Sequence, residues 1–159
     1  MRKTFDVNIY IETDTAEARR QYRGYGVIVE FLLKNGEPVT RDAYGLADAT
    51  GNQIMLMALI DALKILTKPC NVIIYMDNRY VSENIRLGHI YEWFANGWKT
   101  LRNEPIANAE EWRELMGLIE GHELAFAPTK EHSYKECLQY AIRKLKDQGE
   151  NWQQQRLID

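Results

Sequence analysis

The feature that most constrains the fold is the dipeptide Asn35-Gly36, which separates two stretches of strand-like sequence. Asn-Gly strongly favours a two-residue β-hairpin, because both residues tolerate the positive φ that this turn requires. The flanking stretches are predicted as strands over 27–33 and 39–45. A further strand is predicted over 5–11, where apolar and polar residues alternate. The chain therefore opens with three antiparallel strands, which is not the order of a doubly wound parallel sheet.

The remaining sequence alternates between helical and strand-like segments. An almost continuously apolar stretch over 53–66 predicts a buried helix, and a β-rich stretch over 72–76 predicts the fourth strand. The later elements are predicted as helices and one short strand, over 78–87, 109–119, 123–127 (the strand) and 133–147. Together these segments predict a mixed α/β fold with a central five-stranded sheet in the order 3-2-1-4-5, flanked by helices.

Length and charge bound the class of protein. The 159 residues suffice for one domain with a core, and we predict that domain over 1–148, followed by a polar tail over 149–159. The sequence shows neither an apolar leader nor a long apolar run, so we expect a cytoplasmic protein. A net charge of −3 is unusual for a domain that binds nucleic acid electrostatically. We therefore expect any such binding to be weak.

Two acidic residues directly follow predicted strands, Glu12 and Asp77. Open α/β sheets place their chemistry at the carboxyl ends of strands, so these two side chains are candidate site residues. Each also has a plainer interpretation. Asp77 could cap the helix that follows it, and Glu12 could simply be the polar end of a strand.

Several short motifs occur in a characteristic order along the chain. They are Gly24-Tyr25-Gly26, Asn52 with Leu56-Met57-Ala58, Asp77 with Tyr80-Val81, Gly97-Trp98-Lys99-Thr100, Trp112, Lys130 with His132, and Cys137 with Ala141. In this order and spacing the sequence resembles ribonuclease H of the bacterial type 1 kind, over roughly residues 7–145. The resemblance implies cleavage of the RNA strand of RNA–DNA hybrids by two Mg²⁺ ions that four carboxylates hold.

Carried over one position at a time, those four carboxylates fall on Glu12, Met55, Asp77 and Leu138. A thioether is a poor ligand for Mg²⁺, and leucine offers no ligand atom. Met55 and Leu138 also fit core positions, since both lie in apolar helical patterns. We therefore expect Mg²⁺ or Mn²⁺ to bind weakly at Glu12 and Asp77 if at all, and we favour no bound metal.

His132 matches the mobile histidine of the family, which is thought to assist product release or proton transfer. With Glu12 and Asp77 it completes the predicted vestigial catalytic set, although it could equally be a surface loop residue. Asp48 and Glu131 are candidates for a recruited carboxylate that replaces a lost one.

The resemblance also implies where nucleic acid would bind. Thr50 and Asn52 match positions that contact the nucleic-acid backbone in the family. Arg19, Arg20 and Arg23 stand where the family has a glycine-rich loop, and each could neutralise a phosphate. The alternative is a solvated, charged loop.

The region over 83–114 corresponds to a protrusion that is basic in the family, but here it has four basic and six acidic residues. We expect its three tryptophans, Trp93, Trp98 and Trp112, to be packing residues. An acidic projection with aromatic content also suits a protein partner.

Three functional hypotheses follow. We favour an inactive or impaired relative, a pseudoenzyme that binds RNA–DNA hybrid or other nucleic acid weakly. A domain that has turned to protein interaction is the second. The alternative is an active metal-dependent endonuclease of RNA–DNA hybrids that uses Glu12, Asp77 and a recruited carboxylate.

Overall fold

The computed structural model describes the backbone of residues 4–158 and the side chains of residues 4–149. Its five strands form one mixed sheet in the order β3-β2-β1-β4-β5, and the first three strands are antiparallel, whereas β4 runs parallel to β1 and β5 parallel to β4. The strands are β1 (Phe5–Thr13), β2 (Gln21–Leu32), β3 (Pro38–Ala49), β4 (Cys70–Met76) and β5 (Glu123–Pro128). The predicted fold class and strand order are confirmed.

The hairpin forms at the predicted position, although its loop spans residues 33–37 and is longer than the two-residue turn that Asn-Gly favours. Gly36 has φ +83°, and its N–H donates to the carbonyl oxygen of Leu33 over 3.0 Å. The second strand is longer than predicted because the antiparallel register with β3 continues as far as the pair Gln21 and Ala49. The loop between β1 and β2 is therefore confined to residues 14–20.

The helices pack on both faces of the sheet and extend beyond one edge. They are α1 (Gly51–Lys64), α2 (Arg79–Arg86), α3 (His89–Ala95), α4 (Ala109–Ile119) and α5 (Lys135–Ile158). Thr50 caps α1, since its hydroxyl accepts from the N–H of Gln53 over 3.2 Å. Most of α1 is buried in the main core against one face of the sheet, as its apolar sequence predicts.

Helix α5 covers the other face, over a smaller core. Leu138 is completely buried against Tyr10 and Ile28. The glycines of β2 permit this close approach, because an added Cβ would lie 2.9 Å from the side chain of Ile142 at Gly24 and 3.1 Å from that of Leu138 at Gly26. This contact explains both glycines of the Gly24-Tyr25-Gly26 motif.

Helix α5 also runs on past its predicted end. Its backbone stays helical to Ile158, although the sequence predicts a helix over 133–147 and a polar tail over 149–159. The side chains of most of the predicted tail lie outside the described residues.

The protrusion comprises α2, α3, the loop after α3 and α4. Trp112 is fully buried, and its ring meets those of Tyr80 and Trp93 edge-on at centroid distances of 5.8 and 5.2 Å. Trp98 is 7% exposed. The predicted packing role of these tryptophans is confirmed. Among the described residues, no helix is both long and apolar enough to cross a membrane.

Candidate active site

A cavity of about 430 Å³ lies where β1 and β4 end. These strands are parallel neighbours, so their carboxyl ends meet at one edge of the sheet. The cavity is lined mainly by polar side chains, including Glu12, Asp14, Asn52, Asp77, Asn78, Lys130, Lys135 and Gln139, together with Met55. The two predicted carboxylates thus line one cavity.

Glu12 is fixed by hydrogen bonds to both carboxylate oxygens. Its Oε2 lies 2.8 Å from Nε2 of His132, and its Oε1 accepts from Nε2 of Gln139, also over 2.8 Å. The Nδ1 of His132 accepts from the N–H of Tyr134 over 3.2 Å, so in the neutral ring Nε2 bears the proton and donates it to Glu12. The Glu12 side chain is only 11% exposed. These two donors compete with a cation for the carboxylate oxygens.

His132 is an anchored residue. Its side chain is 4% exposed, and its ring lies 5.1 Å from that of Tyr10. The surface loop residue that was the alternative does not match this burial. The ring is buried because it links the end of β1, through Glu12, to the start of α5, through Tyr134.

The aromatic cluster beneath His132 stays uncharged near neutral pH. The Tyr134 hydroxyl donates to Oε2 of Glu30 over 2.5 Å, and this bond to a carboxylate raises the pKa of Tyr134 to about 12. Burial raises the pKa of Tyr10 as well. These phenols therefore pack beside the site and do not act as proton acceptors in it.

Asp77 is exposed at the end of β4, and its carboxylate has no hydrogen-bond partner among the described side chains. It does not cap α2. Asn78 does so, since its Oδ1 accepts from the N–H of Val81 over 2.9 Å. The Nδ2 of Asn78 donates to Oδ1 of Asn52 over 3.1 Å and so connects the starts of α2 and α1. The capping interpretation of Asp77 was therefore wrong.

Met55 and Leu138, at which the resemblance implies carboxylates, differ in their surroundings. Met55 is 5% exposed and forms part of the cavity wall, whereas Leu138 is fully buried on the other face of the sheet. The α5 residue that reaches the cavity is Gln139, whose Nε2 also donates to the carbonyl oxygen of Thr13 over 2.8 Å. On α5 it is therefore Gln139, and not Leu138, that contributes to the cavity lining.

A third carboxylate, Asp14, lines the cavity and was missed by the sequence interpretation. Its Oδ1 accepts from the N–H of Gly24 over 3.2 Å, and its Oδ2 pairs with Nζ of Lys146 over 2.9 Å. Neither Asp48 nor Glu131, the two predicted substitutes, lines the cavity. The available signal for Asp14 was its position directly after a strand end.

The loop over 14–20 folds onto the N-terminus of α1. The N–H of Gly51 donates to the carbonyl oxygen of Ala18 over 3.1 Å, and an added Cβ at Gly51 would lie 2.7 Å from the carbonyl oxygen of Glu17. The side chains of Thr50 and Asn52 are bonded to Gln53 and Asn78. The groups expected to contact a nucleic-acid backbone are thus engaged within the protein.

The three arginines of this region occupy different environments. Arg23 is fully buried, and its Nη2 donates to the carbonyl oxygens of Glu17 and Arg19 over 2.8 Å each. It fastens the loop and does not reach solvent, so its predicted phosphate contact is wrong. Arg19 is exposed and paired with Glu17, whereas Arg20 is exposed and donates to the carbonyl oxygen of Asp48.

The donor set fits a two-metal site poorly. Glu12 already accepts one hydrogen bond on each oxygen and Asp14 is paired with a lysine, which leaves Asp77 as the open carboxylate. Met55 presents a thioether, which Mg²⁺ and Mn²⁺ bind weakly. Within the described part of the chain, no three His, Cys, Asp or Glu side chains converge as metal ligands.

Comparisons with known proteins agree with this fold. The RNase H family model matches residues 6–137. A ribonuclease H from Prosthecochloris aestuarii is 37% identical over 114 residues, which cover 71% of this chain and 75% of the relative. Among solved structures, LC9-RNase H1, a type 1 RNase H with the type 2 active-site motif, is similar with a TM-score of 0.67 at 21% identity. The match covers 90% of this chain and 71% of the LC9-RNase H1 chain.

A foamy viral protease-reverse transcriptase in complex with RNA/DNA hybrid is also similar, with a TM-score of 0.59 at 13% identity. That match covers 89% of this chain but 20% of the larger protein, and it supports the fold alone. The family match extends over most of the sequence, and the 37% identical relative agrees with it. The chain belongs to the ribonuclease H family.

Proposed function

We propose that this protein is a ribonuclease H-like protein that binds RNA–DNA hybrid weakly and has lost most or all of its ability to cleave it. The observation that carries the proposal is the double hydrogen bonding of Glu12 by His132 and Gln139. Cleavage by two metals requires carboxylate oxygens that are free to coordinate both ions. Here Gln139 directs an N–H donor to the oxygen that a cation would need.

The proposal of residual binding depends on exposed cations near the cavity. Lys130 is exposed in its lining, Lys135 lines it half-buried and paired with Glu131, and Arg20 lies at the adjacent start of α1. The hybrid-bound foamy viral enzyme has a related fold, so hybrid is the substrate class to test first. Because only a few cations contribute and the chain carries a net charge of −3, the binding should be weak and sensitive to salt.

The cleavage test uses the purified chain with labelled RNA–DNA hybrid, RNA duplex and DNA duplex, in Mg²⁺ and separately in Mn²⁺. We expect no hybrid cleavage beyond that of an Asp77→Asn sample prepared in parallel. Hybrid cleavage at ordinary enzyme rates that disappears in Asp77→Asn would overturn the proposal.

A residual metal-dependent nuclease is the second candidate, because Asp14 lines the same cavity as Glu12 and Asp77. It would have to release Asp14 from Lys146 and Gly24. In that case Lys146→Gln should increase cleavage and Asp14→Asn should abolish it. If neither variant differs from the parent, this candidate fails.

A further inference from the structure

A groove lined by aromatic side chains lies between α3 and α4, and it shares no lining residue with the cavity at Glu12. It encloses about 450 Å³. Tyr91 and Phe94 form its wall and are 53% and 59% exposed. Large apolar side chains that stay this exposed side by side are typical of interaction sites.

The face of α4 that borders the groove has a simple pattern. Arg113, Met116, Gly117 and Glu120 all line it, and their spacing of three, four and seven residues places them on one side of the helix. The stripe therefore has a cation at one end, an anion at the other, and a small apolar centre.

Gly117 has no explanation within the monomer. An added Cβ would meet no atom within 4 Å, and its φ is not in the positive range. Glycine in the interior of a helix is destabilising relative to alanine. A surface that must be approached closely from outside would account for it.

Glu120 also has no stabilising partner in the described part of the chain. It caps the C-terminus of α4, where the helix dipole disfavours an anion, and the last turn of α4 contains no basic residue. No hydrogen bond or ion pair to another described side chain offsets this. Arg113 makes no ion pair there either, and lies over the ring of Trp98 at 5.7 Å.

These features complement each other across a two-fold axis. We propose that α4 packs antiparallel against α4 of a second copy of this chain, with the axis between Met116 and Gly117. Arg113 of each copy then faces Glu120 of the other, which forms two ion pairs. Gly117 lets the helices approach closely, while Phe94 and Tyr91 fill the groove of the opposite copy.

The size of the surface predicts a weak dimer. An aromatic side chain carries about 150–250 Å², so Tyr91 and Phe94 each offer roughly 100 Å² when half exposed. With the α4 stripe this amounts to about 400 Å² per copy, below the roughly 800 Å² of a standard interface. We expect association only at micromolar concentrations and above.

The net negative charge of the protrusion disfavours nucleic acid as the occupant of this groove. Residues 83–114 include four basic and six acidic side chains, so a phosphate backbone would be repelled. A second copy brings one cation for each anion of the stripe. The proposal does not depend on the state of the cavity at Glu12.

Sedimentation velocity over a wide range of concentrations tests the proposal on the full chain. The parent should pass from monomer to dimer as concentration rises. Arg113→Glu alone and Glu120→Arg alone should each stay monomeric, because each puts like charges opposite one another. An equimolar mixture of the two variants should again dimerise, since both ion pairs are restored in the heterodimer.

Two further variants keep the test independent of folding defects. Gly117→Gln should raise the melting temperature, because it removes a helix glycine without a clash, yet it should block dimer formation. Arg102→Glu, a charge reversal on the protrusion outside the groove, should dimerise like the parent. A parent that stays monomeric at every concentration, or a mixture that fails to associate, would overturn the proposal.

Discussion

The placement of Leu138 and Gln139 allows a sharp test of which α5 residue belongs to the cavity. Leu138 is completely buried, whereas its neighbour Gln139 donates to Glu12 over 2.8 Å. Leu138→Asp should forfeit about 1.5–3 kcal/mol of apolar burial. Burying a polar group without a partner adds about 1–3 kcal/mol. We therefore expect the free energy of unfolding to fall by about 2.5–6 kcal/mol.

A loss of this size is a large part of the roughly 5–15 kcal/mol that stabilises a typical domain. It should lower the melting temperature by about 2–4 °C per kcal/mol for a chain of this size. Thermal melts followed by circular dichroism would measure it. Added Mn²⁺ should not restore the loss, because the side chain at position 138 packs into the small core with Tyr10 and Ile28 and does not line the cavity.

Gln139→Glu is the matched variant on the same helix. It places a carboxylate beside Glu12 in the cavity, so the parent hydrogen bond becomes a repulsion between like charges. We expect a smaller loss of stability that Mn²⁺ or Mg²⁺ partly reverses, visible as a metal-dependent rise in melting temperature. If Leu138→Asp gains this metal response and Gln139→Glu does not, the assignment of the cavity position to Gln139 is refuted.

Three further predictions concern the loop, the binding surface and pH. Gly51→Ala should lower the melting temperature, because its Cβ would lie 2.7 Å from the Glu17 carbonyl oxygen and displace loop 14–20, whereas Gly117→Ala on open α4 should raise it. Arg20→Gln should weaken hybrid binding in fluorescence anisotropy and reduce the salt slope by roughly one unit, whereas Lys99→Gln should have little effect; the reverse order would contradict the proposed surface. Burial lowers the pKa of His122, whose Nδ1 accepts from the N–H of Cys70 over 3.1 Å. Because the unfolded chain takes up this proton more readily than the folded one, the neutral His122 side chain contributes to stability above the unfolded pKa of about 6.5. That contribution is lost as pH falls through the folded pKa. His122→Gln should flatten the loss of melting temperature between about pH 7.5 and about pH 5, and an unchanged profile would contradict this.

The sequence alone was sufficient for the topology. The Asn35-Gly36 turn and the alternating strand over 5–11 are local signals that predict antiparallel strands, and the later helix-separated strands, with the family resemblance, predict the strand order that the sheet adopts. The apolar pattern of α1 likewise predicts its burial. These features depend on residues that are close in the chain, so periodicity detects them.

The site was decided by tertiary structure. Adjacent residues on a helix point about 100° apart, so the rotation of α5 against the sheet determines that Leu138 enters the core and Gln139 the cavity. Arg23 is buried because β2 extends further than its pattern shows, and a loop then folds over it. His132 meets Glu12 across 120 residues of sequence. No local pattern encodes a contact of that separation, which forms only when the carboxyl end of β1 and the start of α5 come together in the folded chain.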